Sequence, residues 1–113
     1  MHNLEFRLGK LDAANLRAEK PQTPLSQLVE HLSKVDRLSG VGITKVMLHE
    51  SPEDSIQIEV TNPSVKGMTG AAKAFIFSWW AGALTSLLDK EFDVKNVVYD
   101  EEKNVLKGQI VAR

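Results

Sequence analysis

The stretch AFIFSWWAGALTSLL, residues 74–88, decides how the rest of this chain is read. It carries no charge, and Phe75, Ile76, Phe77, Trp79, Trp80, Leu84, Leu87 and Leu88 fall on every side of a helix expected over residues 71–90, with Thr69 as its N-cap. A helix with no polar face has to be covered on more than one side. Fully burying each large apolar side chain stabilises by about 1.5–3 kcal/mol, and leaving it in water forfeits that. A chain of 113 residues has little protein with which to do the covering. Along one edge Ala74, Ser78, Gly82 and Ser86 (or Thr85) recur at helical spacing, a track of small side chains on which another backbone can come close. Three readings of the helix stay open: the central core helix, an isologous homodimer face, and one wall of an apolar pocket.

Working outward, both flanks read as hairpins. Upstream, residues 43–50 and 55–61 are two strands around the turn Ser51-Pro52-Glu53-Asp54, with Ile56, Ile58 and Val60 alternating against Gln57 and Glu59. Asn62-Pro63 breaks that ladder. Downstream, residues 92–99 and 105–112 flank the charged turn 100–104 and form a second hairpin. Before the first hairpin, Leu25, Leu28, Val29, Leu32 and Val35 make one stripe of an amphipathic helix, with Glu30, Lys34 and Asp36 turned away from it. Thr23 and Pro24 mark its start, Gly40 and Gly42 its end.

The N-terminus reads differently. Leu4, Phe6 and Leu8 alternate with polar residues, a half-buried strand ended by Gly9. Residues 10–22 are polar and alanine-rich, with Pro21 and Pro24 as breakers, and read as an arm. The expectation is one α+β domain over residues 1–113: an N-terminal strand and arm to residue 22, then the core from residue 23. An antiparallel sheet of about four to five strands carries two main helices, in the order β-(arm)-α-β-β-α-β-β.

Composition narrows the chemistry. At 42% hydrophobic and 26% charged the chain is ordinary for a globular domain. With 14 Lys+Arg against 15 Asp+Glu, no bulk field draws it to nucleic acid or to an anionic membrane. The absence of cysteine removes disulfides, thiolate metal sites and cysteine nucleophiles. His2, His31 and His49 are scattered, and the carboxylates gather in expected turns, Glu50 to Asp54 and Asp100 to Glu102. Neither a Gly-x-Ser-x-Gly elbow nor Ser-x-x-Lys occurs. No catalytic residue, metal or cofactor is expected, and enzyme is a remote class. The N-terminus has no apolar h-region, and the run 74–88 falls short of the roughly 20 residues of a membrane span. A cytoplasmic location is expected.

One loop bears on ligands. Lys66-Gly67-Met68-Thr69-Gly70-Ala71-Ala72-Lys73 leads into the apolar helix, where backbone N–H groups and two lysines can hold an anion. It lacks the Gly-Lys-Ser/Thr ending of a P-loop. A Gly-x-x-Gly RNA-binding loop joins two helices, whereas a strand precedes this one. An ordinary strand-to-helix turn and an anion site both remain.

Residues from about 40 to 113 resemble the 4-vinyl reductase domain family of predicted hydrocarbon-binding domains, which shares a fold with small subunits of the vesicle-tethering TRAPP complex. The resemblance is carried by the strand ending Val60-Thr61-Asn62-Pro63, the helix 75–88 with mid-helix Gly82, Lys90-Glu91-Phe92-Asp93-Val94 after it, and the closing Gly108-Gln109-Ile110-Val111. The family's frequent cysteines and Gly-Asp turn are absent, and Asp100-Glu101-Glu102 stands in the turn's place. The resemblance implies a small non-catalytic module, often dimeric, that binds a hydrophobic small molecule as a sensor or accessory protein. Phe75, Trp79, Trp80 and Leu84 would then form the apolar wall, with Met47 and Met68 as adaptable filler. Lys66 and Lys73 would pair with a ligand carboxylate or phosphate. The alternative is an interaction protein whose apolar helix assembles homo- or hetero-oligomers without a ligand.

Overall fold

The computed structural model describes residues 4–38, 43–47, 55–61 and 70–112, with the side chains of 35–38 and 70–75 left out of the description. The elements run α1 (Leu4–Glu19), α2 (Leu25–Leu38), β1 (Ile43–Met47), β2 (Ser55–Thr61), α3 (Gly70–Leu88), β3 (Phe92–Asp100) and β4 (Val105–Ala112). Among the described residues, three helices and one four-stranded sheet make the expected α+β class. The sheet is antiparallel throughout, in the order β1-β2-β4-β3.

Alternation selects the inner face of that sheet. Ile56, Ile58 and Val60 of β2 stand opposite Ile110, Gly108 and Leu106 of β4, and these rows, with Phe92, are buried. Gln57, Glu59, Lys107 and Gln109 occupy the other face, which none of the described helices covers; Glu59 stands opposite Lys107 in the register. Gly108 is required on the inner face, because a Cβ there would lie 2.9 Å from the Phe77 ring. Opposite it, β3 carries one extra residue between Lys95 and Val98, a bulge that opens at Asn96 with φ 56°. The β3–β4 turn is held by Asp100, whose Oδ1 accepts from the backbone N–H groups of Glu102 at 3.1 Å and Lys103 at 3.2 Å.

Helix α2 begins just after Pro24, whose carbonyl accepts from Leu28 N at 3.2 Å. Its stripe of Leu28, Val29 and Leu32 is buried, and the helix packs beside β1. Helix α3 lies across β3 and β4. Thr85 is the polar exception on its buried surface, because its Oγ1 accepts from Phe92 N at 3.2 Å and satisfies the first donor of β3.

The N-terminal strand and arm are corrected. Residues 4–19 are one helix, α1, which packs against α3. A strand and a helix share the alternation of Leu4, Phe6 and Leu8 over so short a run. Beyond it, Ala13, Ala14, Leu16, Arg17 and Ala18 are good helix formers with no breaker before Pro21. Burial decides the matter. As a helix the segment places Phe6, Gly9, Ala13 and Leu16, at spacings of three and four, on a single buried face. Gly9 ends nothing; it sits mid-helix.

Candidate functional site

The seam between α1 and α3 is set by two glycines. A Cβ added at Gly9 would stand 1.9 Å from Trp79 O, and one added at Gly82 would stand 1.9 Å from Phe6 O. Both distances lie far inside van der Waals contact, so the two backbones touch here in a way only glycine allows. The backbone that comes close along the small-residue track is therefore that of α1, at Gly82. This crossing also accounts for the apolar character of α3. The sheet covers it on one side, where Phe77 meets Gly108, and α1 covers it on another.

The expected wall residues divide accordingly. Trp80 and Leu84 are fully buried in the core with Phe77. Trp79 is half-buried beside α1, its ring edge-on to Trp80 with centroids 5.2 Å apart, and its Nε1 donates to Asp12 Oδ2 at 3.1 Å. Met47 is not brought to them: it alternates with the core-packed Val46 and lies on the outer sheet face, where a surface cleft of about 200 Å³ is lined by Gln57, Asn96, Lys107 and Gln109. Ser78 and Ser86 are half-buried on α3. Phe75, Lys73 and Ala74 belong to α3 with side chains outside those described, and Lys66, Met68, His2 and His49 lie outside the described residues. His31 is exposed on α2 at a polar surface cleft of about 350 Å³, lined also by Lys20, Thr23, Gln27 and Lys34. Among the described residues there is no group of three or more His, Cys, Asp or Glu that could hold a metal ion, and no helix long and apolar enough to cross a membrane.

The face of α1 turned away from α3 carries what the sequence reading did not single out. Leu4, Leu8 and Leu11 are 66%, 40% and 55% exposed, and their spacing of four and three lines them up along the helix. Asn15 and Ala18 continue the same line and are exposed too. Large apolar side chains in a row on a surface mark an interaction site more often than scattered ones do. The signal was present as two interleaved helical stripes, one from Phe6 to Leu16 and one from Leu4 to Ala18.

No protein-family model and no curated protein matches this chain. Among solved structures, subunit 3 of the trafficking protein particle complex from Naegleria fowleri, covalently bound to palmitic acid, aligns with a TM-score of 0.60 at 8% identity, over 97% of this chain and 76% of that one. The likeness is one of fold. An oxygen-binding H-NOX domain related to soluble guanylate cyclases aligns with a TM-score of 0.50 at 12% identity. It is matched over 97% of this chain but 61% of its own length, so this chain spans about three fifths of that domain. The fold shared with a TRAPP subunit agrees with the sequence resemblance at that level.

Proposed function

We propose that this chain is a non-catalytic assembly module that docks through the outer face of α1. The observation that carries this reading is the exposed row of Leu4, Leu8 and Leu11 on a helix whose opposite face is already buried. Such a row gains by being covered, at about 25 cal/mol for each Å² of apolar surface removed from water. The test is sedimentation velocity of the wild type and of Leu8→Glu. The wild type is expected well above the 12.5 kDa of one chain, and the variant at that single mass. Equal masses for the two would contradict the reading.

A second reading is favoured by the palmitic acid on the Naegleria fowleri subunit, which has this fold. On it the chain is a sensor or accessory protein of the 4-vinyl reductase type, dimeric, that holds a hydrophobic small molecule beside α3. Trp79 at the α1–α3 seam, with Phe75 and Met68, would supply apolar wall, and Lys66 and Lys73 the contact to an acidic end. It stands second because Trp80 and Leu84, two of the expected wall residues, are spent on the core. Native mass spectrometry before and after organic extraction tests it: a reproducible adduct released as an apolar compound supports it, and a bare chain after incubation with palmitate counts against it.

A further inference from the structure

The outer face of α1 has the form of a seam for a second α1. Leu4, Leu8, Leu11, Asn15 and Ala18 are spaced four, three, four and three, the 3.5-residue average with which one helix meets another in a coiled coil. The seam spans only about two heptads, too short to fold a free helix. Here α1 is already held by α3 through Gly9 and Gly82, so the seam does not have to create the helix it uses. Resting on the assembly reading above, we infer that the partner is a second copy of this chain, with the two α1 helices parallel about a two-fold axis.

Charge and polarity choose the partner and its direction. The seam is flanked on one side by Glu5, Asp12 and Glu19 and on the other by Arg7, with Ala14 one heptad further on. Parallel strands bring each residue on one flank against the opposite flank of the other helix, five residues on. Arg7 then meets the partner's Asp12, and the two-fold repeats the pair. Asp12 is exposed and already oriented by Trp79 Nε1, which donates to its Oδ2. Antiparallel strands instead face the acidic flank with itself, Asp12 against Asp12 and Glu5 against Glu19. Asn15 makes the same choice. In the parallel arrangement it meets the partner's Asn15, the one polar layer that commonly fixes two-stranded register. In the antiparallel one it meets Leu11, with no group to receive its amide.

The chain has no cysteine, so single substitutions report the geometry directly. A disulfide forms only where two Cα atoms come within about 7 Å. Asn15→Cys, on an exposed position that the fold does not use, is expected to give a covalent dimer under mild oxidation. Arg7→Glu is expected to weaken the dimer by about tenfold, and adding Asp12→Arg to restore it, a change of the size that repeated surface ion pairs produce. If Asn15→Cys fails to cross-link alone but joins Leu11→Cys in a mixture, the helices are antiparallel; that overturns this inference and leaves the assembly reading standing. A wild type that sediments as one chain overturns both.

Discussion

Helices α1 and α3 are both rich in apolar residues, and they use them in opposite ways. In α3 the apolar side chains go all round because the helix is covered twice, by the sheet and by α1. In α1 they are divided into two stripes on opposite sides. Phe6, Ala13 and Leu16 are buried, while Leu4, Leu8 and Leu11 remain at the surface. The lesson is that a weak amphipathic signal has two physical origins. One is a helix buried throughout; the other is a helix with a separate partner on each side. Only the second leaves a large apolar row in water when the chain is alone.

Substitutions on the two faces of α1 should break or sharpen that contrast, measured by urea denaturation in a Leu8→Glu background so that assembly does not enter by mass action. Phe6→Ala removes a buried ring from the α3 side and is expected to cost about 3–5 kcal/mol, a large share of the roughly 5–15 kcal/mol that holds a domain. Gly82→Ala is expected to cost about 3 kcal/mol. The helix propensity of Ala is worth about 1 kcal/mol in its favour, but a Cβ 1.9 Å from the Phe6 carbonyl oxygen forces the two backbones apart. A stabilised Gly82→Ala would show that α1 does not dock there. Trp79→Phe keeps the apolar ring and loses the exposed hydrogen bond to Asp12, for about 1 kcal/mol. Leu11→Ala, on the outer face, is expected to change monomer stability by less than about 0.5 kcal/mol. A loss as large as that of Phe6→Ala would place Leu11 in the core and end the comparison.

Much of the rest of the fold could be read from the residues. The stripe of Leu28, Val29 and Leu32 was the pattern of a helix with one covered side, and Ile56, Ile58 and Val60 that of a sheet with one covered face; each has a single period and a single partner. The N-terminus was misread because Leu4, Phe6 and Leu8 satisfy a period of two over five residues, while as a helix they belong to two faces. That error hid the cover of α3: with residues 10–22 set aside as an arm, no part of the chain was left to lie on Gly82. It hid the exposed leucine row as well, since Leu4 and Leu8 were assigned to the inside of a strand. Met47 was misplaced for a smaller reason. Val46 and Met47 are both apolar, and only the pairing of Val46 with the buried Ile58 settles which of them faces the core.

The central claim is that α1, residues 4–19, forms the second wall of α3. Amide hydrogen exchange tests it most directly. As a helix clamped at Gly9 and Gly82, α1 is expected to protect the amides from Leu8 to Glu19 to within about tenfold of those in α3, because the two open together. Exchange of residues 10–19 at the rate of an unstructured chain, with α3 still protected, would mean that something other than α1 covers the apolar helix, and would contradict the account.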